Sequence, residues 1–508
     1  MIKLLYIDLF CGAGGTSTGV ENARHNGEKC AKVIACVNHD KNAIASHAAN
    51  HPDALHFTED IRTLELSPLI AHIEKMKIEH PQAKVVLWAS LECTNFSKAK
   101  GGKPRDADSR TLAEHLFRYI EAITPDYIQI ENVEEFMSWG YLCEKGKPVS
   151  RDAGRLYHKW VNHVKKYGYE FEYRILNSAD FGAYTSRKRF FCTFAKAGLP
   201  IAFPTKTYAK NPVKNDLFGN SLKKWKAVKD VLDFSKDGES IFTRKKPLAD
   251  KTLERIYAGL IKFVAGGKDK WLLKYNSTDK FGRHTPPSVD DPCPVVSCQN
   301  RLGVVQAKFL SKYFSGRPEG KNISVEEPAG TITTIDHHSL VQAEFLSAYY
   351  GNGHNHSIEK PCPTVTTVDR FAKVKNVFLD MQYGNGTPSY CNLPAPALTT
   401  NPKHHLVTCI PYLINPQLAI VIQDTDTEPM RKIKEFMALY GIIDIKMRML
   451  FIDELKQIMG FGKDYKLIGT QAEQKKYIGN AVETTVARVQ CEALVIKLNE
   501  WEQLKKAA

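Results

Sequence analysis

The stretch Leu4-Leu-Tyr-Ile-Asp-Leu-Phe-Cys-Gly-Ala-Gly-Gly15 decides the fold of this 508-residue chain. Its first part, from Leu4 to Phe10, is largely apolar and is typical of a buried parallel strand. The glycines that follow allow the backbone to turn tightly and to approach a ligand at the start of the next helix. The sequence therefore predicts an α/β fold that binds a nucleotide-like cofactor at this glycine turn.

A single cysteine marks the second informative stretch, Trp88-Ala-Ser-Leu-Glu-Cys-Thr-Asn-Phe-Ser97. Cys93 follows a predicted parallel strand that covers Lys84 to Ala89. Open α/β sheets bind ligands beyond the carboxyl ends of their strands. We therefore expect the cysteine, as a candidate nucleophile, to share one site with the cofactor.

These two stretches resemble motifs of the DNA (cytosine-5) methyltransferases. Asp8 to Gly15 is similar to motif I, which binds S-adenosylmethionine, and Ala89 to Ser97 is similar to the catalytic motif IV. Further matches follow in the order of the family: Glu131-Asn-Val133, Ser186-Arg-Lys-Arg189, Arg448 through Glu454 to Gly460-Phe461, and Gly479-Asn-Ala-Val482. Several motifs in the right order are much more specific than any one of them.

The resemblance implies a Rossmann-like S-adenosylmethionine-dependent methyltransferase domain of the α/β class, with an inserted, repeat-containing, β-rich target-recognition domain. We expect residues 1–200 to form the first part of the catalytic domain and residues 201–430 the recognition domain. Residues 431–508 would return to the catalytic domain, with Gly479 to Val482 and the helix after them packed next to the first strand, where they complete the cofactor pocket.

The resemblance also implies the roles of four catalytic residues. Cytosine C5 is a weak nucleophile, so the Cys93 thiolate would first add to C6. Glu131 would protonate or hydrogen-bond N3, while Arg187 and Arg189 would orient Glu131 and bind the pyrimidine O2 or a phosphate. The ring is inaccessible in a stacked duplex, so the base would have to be flipped out.

The cofactor that the resemblance implies is S-adenosylmethionine. Asn38 takes the place of the acidic residue that binds the ribose, His39 that of the aromatic ring on the adenine, and Asp60 with Ile61 that of the adenine contacts. A dinucleotide site is disfavoured because Ser17 replaces the third glycine of the required pattern. The complete predicted set is Phe10, Gly12, Ala13, Gly14, Gly15, Asn38, His39, Asp60, Ile61 and Asn480.

Three positions depart from the family pattern. Glu92 stands where the family has a proline, and its carboxylate beside Cys93 disfavours the thiolate. Asn38 replaces an acid, although an amide still hydrogen-bonds a hydroxyl. Thr185 replaces the glutamine of the two-arginine motif. These changes concern affinity and rate more than the type of reaction.

Composition agrees with a nucleic-acid enzyme of the cytoplasm. The chain is 43% hydrophobic but contains no apolar run long enough to span a membrane. The twelve cysteines form no Cys-x-x-Cys pair, so we interpret them as free thiols in a reducing compartment. We expect no metal site, since the pairs His337-His338 and His404-His405 are more simply structural or DNA-facing. A monomer is expected.

The net charge of +14 is concentrated in one segment. Between Lys206 and Arg283, 19 lysines and arginines face 9 acidic residues, which suits a surface that neutralises DNA phosphates. A solvated helix face is the alternative interpretation. Double-stranded DNA is the predicted partner, with a cognate restriction endonuclease as a possible second one.

Four internal repeats follow the basic segment. They begin at Pro292, Pro328, Pro361 and Pro394, at intervals of 36, 33 and 33 residues. Each copy predicts strand, loop and strand, and a fixed interval of this length indicates a repeated supersecondary unit. The resemblance places base recognition in this region.

Two other functions remain open. A cytosine-5 RNA methyltransferase would share the catalytic motifs without needing so large a recognition domain. A DNA-binding protein that has lost catalysis is suggested by Glu92 and Asn38, whereas the retained Cys93 and Glu131 favour an enzyme.

Overall fold

The computed structural model describes residues 1–91, 112–141, 153–212, 222–233, 235–236, 239–265, 270–274, 286–294, 302–309, 311–312, 338–339, 347–348, 371–372, 377–381, 389–390, 404–408, 422–440 and 442–507. The chain divides into two compact units. Unit 1 contains Met1–Phe234, Val289–Arg301 and Leu450–Ala508, and unit 2 contains Ser235–Ser288 and Leu302–Met449. The predicted domain boundaries at residues 200 and 430 stay a prediction.

Unit 1 is built on one seven-stranded sheet. Its strands are β1 Leu4–Leu9, β2 Ala31–Val37, β3 Leu55–Phe57, β4 Lys84–Ser90, β5 Tyr127–Asn132, β6 Tyr169–Asn177 and β7 Lys188–Lys196. The spatial order is β3-β2-β1-β4-β5-β7-β6. Strands β1 to β5 are parallel, and β7 runs antiparallel to β5 and β6. The predicted Rossmann-like α/β fold is confirmed.

Helices cover both faces of this sheet. They are α1 Gly15–Glu21, α2 Lys41–Asn50, α3 Ser67–Glu79, α4 Leu116–Ile123, α5 Arg155–Lys166, α8 Ile452–Ile458, α9 Gln471–Asn480 and α10 Thr484–Ala507. Short 3₁₀ turns occupy Glu134–Ser138, Ser178–Phe181 and Val228–Val231. None of the helices in the described part of the chain has the length and apolar character needed to cross a bilayer.

The alternation of side chains along β1 explains the two cores. Leu5, Ile7 and Leu9 pack on one face with residues of α3, α4 and α5. Leu4 and Tyr6 pack on the other face with residues of α1 and α10. Successive side chains of a strand point to opposite faces, so a strand buried on both sides is apolar almost throughout. The return of the C-terminal helix to the first strand, predicted from sequence, is observed in this second core.

Unit 2 contains a four-stranded sheet and two α-helices in its described part. The strands are β8 Glu239–Ser240, β9 Lys270–Lys274, β10 Leu302–Phe309 and β11 Ile442–Met449, in the order β8-β11-β10-β9 and antiparallel throughout. Helices α6 Asp250–Gly259 and α7 Glu428–Tyr440 accompany it, with a π-helical turn at Leu260–Val264.

Short strands make up the other described segments. In unit 1 they are Arg24–His25 with Glu28–Lys29, and Tyr208–Ala209 with Lys223–Lys224. In unit 2 they are Ser311–Lys312 with His338–Ser339, Ser347–Ala348 with Phe371–Ala372, and Val377–Met381 with both Ser389–Tyr390 and His404–Thr408. The last three repeat motifs, from Pro328, Pro361 and Pro394, lie outside the described residues.

Candidate active site

Most of the predicted site residues in the described part of the chain lie at or just after the carboxyl ends of the parallel strands β1, β2, β3 and β5. Leu9 at the end of β1 pairs with Val37 of β2 and with Ala89 of β4. Val37 pairs in turn with Phe57 of β3, and Ser90 of β4 pairs with Glu131 of β5. The strand ends are therefore in register, and the segments after β1, β2 and β3 share one edge of the sheet with Glu131.

The glycine turn after β1 divides into an open part and a packed part. Phe10 and Gly12 have φ values of +59° and +52°, and a Cβ built on Gly12 meets no atom within 4 Å. A Cβ on Gly14 would lie 2.5 Å from the Tyr465 hydroxyl, and one on Gly15 would lie 2.5 Å from the Val482 carbonyl oxygen. Gly14 and Gly15 are thus required by contacts within the chain, whereas Gly12 leaves room for a ligand. Ala13, between them, is buried.

Asn38 lies directly after β2, and its side-chain oxygen, but not its side-chain nitrogen, is hydrogen-bonded to a described residue. Its Oδ1 accepts a hydrogen bond from the Asp40 backbone N–H at 2.9 Å. Asp40 caps helix α2 by accepting from the backbone N–H groups of Asn42 and Ala43, which fixes the start of that helix. No partner of the Asn38 amide nitrogen occurs among the described residues, so this nitrogen can donate to a hydroxyl group. His39, the next residue, is exposed.

Asp60 and Ile61 follow β3 after a short turn. Hydrogen bonds from Arg62 hold the pKa of Asp60 at about 2, so this carboxylate is ionised, and His39 lies near enough to act on it electrostatically. Ile61 is buried, and its carbonyl oxygen accepts from Tyr119 and Arg118. The pair therefore places a fixed charge at the end of β3, next to an apolar side chain that belongs to the core.

Glu131 is a buried carboxylic acid at the end of β5. It is 5% exposed, and its Oε1 lies 3.3 Å from Nε of Arg189. Burial raises the pKa of Glu131 above its ordinary value, and the charges of Arg189 and Arg187 offset this only in part. Oε1 has no hydrogen-bond partner among the described residues. The predicted pairing of Glu131 with an arginine is observed, and the side chain is suited to exchange a proton with a ligand.

Arg187 connects this edge with the C-terminal segment. It is 3% exposed, and its Nη1 donates to the Gly479 carbonyl oxygen at 3.1 Å. Asn480, the next residue, ends helix α9 and is exposed. Arg187 therefore holds in place the turn that carries Asn480.

Cys93 and Glu92 lie outside the described residues, as does the predicted loop from Lys98 to Arg110. Thr185, which stands where the family has glutamine, is fully buried and donates to the Pro294 carbonyl oxygen at 3.3 Å. It also forms a parallel β-bridge with Cys293. Pro294 and Cys293 belong to the first of the four repeat motifs, so the start of that motif is part of unit 1.

S-Adenosylmethionine is compatible with these residues. The open space at Gly12, the uncommitted amide nitrogen of Asn38 and the buried apolar side chain of Ile61 lie after three adjacent strands of the same sheet edge. A donor, an apolar wall and close backbone approach are the elements that a nucleoside site needs.

Sequence reasoning missed a polar network next to the glycine turn. The Ser17 hydroxyl donates to Asp8 Oδ2 at 2.7 Å, and His47 Nε2 lies 2.8 Å from the same hydroxyl. The donor atoms of Cys11, Cys36 and His47 all lie within 4.8 Å of one another. His47 lies in α2 and His51 directly follows that helix, and the spacing of four residues between two histidines could have pointed to the network.

Comparison with known proteins finds a protein family whose model matches most of this chain. The family described as C-5 cytosine-specific DNA methylase matches residues 4–283 and 358–495. A type II methyltransferase of Haemophilus parahaemolyticus, M1.HphI, is 26% identical over 221 residues, which are 43% of this chain and 53% of that enzyme. M.AquIA of Picosynechococcus is 27% identical over 228 residues, 44% of this chain and 86% of that enzyme.

The match thus spans about half the length of the Haemophilus relative. Among solved structures, an Entamoeba histolytica methyltransferase aligns with 97% of this chain and 98% of its own, at 13% identity and a TM-score of 0.43.

Proposed function

Because the chain belongs to the C-5 cytosine-specific DNA methylase family, we propose that it transfers a methyl group from S-adenosylmethionine to C5 of a cytosine in double-stranded DNA. The observation that carries the proposal is Glu131. This carboxyl group is buried at the end of β5, its pKa is raised, and Arg189 lies beside it. A carboxylic acid whose pKa burial has raised holds its proton more readily and can donate it to a ring nitrogen in the transition state.

The proposed reaction begins when the Cys93 thiolate adds to C6 of the flipped-out cytosine. Glu131 donates its proton to N3, so the ring electrons reach C5 without building negative charge on the base. C5 then forms a bond to the methyl carbon as the bond from that carbon to the donor sulfur breaks. A base then removes the C5 proton, the electrons of that bond re-form the C5=C6 double bond, and the C6–S bond breaks with its electrons on the Cys93 thiolate. N3 returns its proton to Glu131.

The cofactor supplies an electrophilic methyl group on a sulfonium. Residues of this chain would bind it at the edge formed by β1, β2 and β3. Phe10 and Gly12 would line it at the open part of the glycine turn, and Asn38 would donate to the ribose. His39, Asp60 and Ile61 would surround the adenine, and Asn480 would close the far side. Ala13, Gly14 and Gly15 would shape the turn.

Arg189 and Arg187 would hold and orient Glu131. Arg189 fixes Glu131, because its guanidinium lies 3.3 Å from the carboxylate. Arg187 is occupied with Gly479, which makes its part in orienting Glu131 electrostatic. The guanidinium of Arg189 is also 15% exposed, so it can contact the pyrimidine O2 or an adjacent phosphate.

Duplex DNA is the proposed partner, bound by a monomer. The relatives that match are named type II methyltransferases, which supports a proposal that this chain modifies the recognition site of a cognate restriction endonuclease. The basic segment from Lys206 to Arg283 would contact phosphates, and the repeats would read the bases around the target.

The test uses cells that express the full chain or its Cys93→Ala variant. Bisulfite sequencing should find methylated cytosines in one sequence context with the first and none with the second. Duplex DNA with 5-fluorocytosine at that context should trap the first in a denaturation-resistant adduct. If transfer RNA becomes methylated and DNA does not, or if neither is modified, the proposal is wrong.

A further inference from the structure

We propose a zinc-binding site next to the glycine turn, formed by Cys11, Cys36, His47 and His56. The site is independent of the proposed methyl transfer, and it revises our expectation from sequence that the chain has no metal site. Its four residues come from four elements, namely the turn after β1, strand β2, helix α2 and strand β3.

The sheet register brings two of the four side chains to one face. Cys36 of β2 pairs with His56 of β3, and on its other side with Asp8 of β1. Residues paired across neighbouring strands project from the same face of a sheet. The side chain of Cys36 lies close enough to those of His56 and Cys11 to interact with both, and the two cysteines are free thiols. Two thiols and one imidazole therefore converge on this face.

Helix α2 supplies the fourth donor. His47 Nδ1 lies 3.6 Å from Sγ of Cys36 and 2.9 Å from Nε2 of His56. The donor atoms of His47, Cys36 and Cys11 lie within 4.8 Å of one another. Sulfur and nitrogen ligands around tetrahedral zinc are separated by about 3.3 to 3.8 Å, and the distances from His47 Nδ1 to Cys36 and to His56 lie within or close to this range.

Buried groups behind His47 orient its ring toward the other donors. The Ser17 hydroxyl gives its proton to Asp8 Oδ2, so it can only accept from His47 Nε2, which lies 2.8 Å away. Neutral His47 then carries its lone pair on Nδ1, the atom that faces Cys36 and His56. Metal-bound histidines characteristically donate their second ring nitrogen in this way.

The donor chemistry selects the metal. Two cysteines and two histidines form a closed ligand set without a carboxylate, which favours zinc over magnesium or calcium. Cys11 and Cys36 are 7% and 0% exposed, so a metal bound there would be shielded from solvent. A closed ligand set in which three of the four residues are buried is typical of a structural site. Such a metal would tie the turn after β1 to β2, α2 and β3.

His51 provides a matched control. It lies one helical turn beyond His47, but its Nε2 is 3.1 Å from Thr18 Oγ1 and 3.3 Å from the Tyr465 hydroxyl. This nitrogen is already engaged outside the proposed set. Replacing His51 therefore changes a partly buried histidine at the end of the same helix without removing a proposed ligand.

The experiment measures zinc in the full chain after growth with zinc and dialysis against EDTA. Wild type and His51→Gln should hold about one zinc per chain. Cys36→Ser and His56→Gln should lose it. Ser17→Ala keeps all four ligands but removes the group that orients His47, so zinc affinity should fall by about tenfold or more.

A measurement on the wild type guards against variants that fail to fold. X-ray absorption of the zinc protein should show two sulfur and two nitrogen neighbours, and cobalt substitution should give a thiolate-to-metal charge-transfer band. The proposal is overturned if the folded wild type holds no zinc and binds no cobalt. It is also overturned if folded Cys36→Ser and His56→Gln keep the metal, because the site would then lie elsewhere in the chain.

Discussion

At the scale of single residues, Asp8 in β1 and Asp60 after β3 show how burial and partners change the pKa of the same kind of side chain. Asp8 is fully buried in the middle of the polar network, and burial raises its pKa to about 7 despite a hydrogen bond from Ser17. Asp60 is partly exposed and its pKa is about 2 because Arg62 binds it. The same side chain is therefore largely neutral or fully ionised according to its partners.

The raised pKa of Asp8 predicts a pH dependence of stability. Its contribution is fully present below pH about 4 and is lost as the pH rises through about 7, because the folded state then buries a charge. Asp8→Asn keeps the site neutral, so relative to wild type it should gain up to about 3 kcal/mol of unfolding free energy between pH 5 and pH 8. Thermal and denaturant unfolding at both pH values measures this difference.

Asp60→Asn is the control for this experiment, since Asp60 stays ionised across the same pH range. Its effect relative to wild type should be the same at pH 5 and pH 8. A difference for Asp8→Asn that is equally constant would show that Asp8 does not titrate in this window.

Glu131 gives a prediction about catalysis. Glu131→Gln cannot protonate N3, so methyl transfer in a single turnover should slow by about 10²- to 10⁴-fold, while duplex binding changes little. Glu134→Gln, three residues further along the chain and only partly buried, is the matched control and should retain activity. If Glu131→Gln transfers methyl groups at nearly the wild-type rate, the carboxyl group serves only as the partner of Arg189.

At the scale of elements, the glycine turn has two separate tasks. Gly14 and Gly15 make room for Tyr465 and for the Val482 carbonyl, which belong to the C-terminal segment. Gly12 faces open space. The turn could be predicted from its own residues. The prediction assigned all three glycines to the cofactor, because the local sequence does not show that a distant segment packs on Gly14 and Gly15.

This division predicts opposite phenotypes for two substitutions. Gly15→Ala should destabilise the fold by about 1 to 3 kcal/mol, because its Cβ would overlap the Val482 carbonyl oxygen. Gly12→Ala meets no protein atom, and its positive φ costs about 1 kcal/mol, so it should lower cofactor affinity more than stability. Unfolding curves and calorimetric titration with S-adenosylmethionine separate the two effects. The prediction would be contradicted if both variants lost the same affinity for S-adenosylmethionine and kept the stability of the wild type.

At the scale of the whole molecule, patterns in short stretches of sequence predicted the features that those stretches determine by themselves. The strand and turn at Leu4 to Gly15, and Glu131 at the end of an apolar strand, could be recognised because their periodicity and flanking residues are contiguous. Long-range pairing could not. The convergence of Cys11, Cys36 and His56 depends on the register of β1, β2 and β3, and the bond from Thr185 to Pro294 joins residues 109 positions apart.

The exposed lysines of unit 1 test how charge is used in the whole molecule. Lys223 and Lys224 are exposed in a short strand, and Lys226 Nζ lies 5.1 Å from the centre of the Tyr184 ring. Replacing all three with Ala removes three candidate phosphate contacts. DNA binding should weaken at every sequence, and the slope of log affinity against log salt should shrink by up to about 0.9 per contact. The methylated sequence context should not change.

A charge-matched variant distinguishes contact from net charge. Lys497, Lys505 and Lys506 all lie on α10, and their replacement with Ala lowers the net charge equally while leaving the basic segment intact. Its salt slope should stay close to wild type.

Asp336→Ala with His337→Ala, in the second repeat, should instead alter which cytosines are methylated, because base contacts carry sequence information and phosphate contacts do not. Methylation of a randomised-site library at two salt concentrations measures both the salt dependence and the methylated sequence context. If the variant that replaces Lys223, Lys224 and Lys226 changes this context, recognition lies in the basic segment.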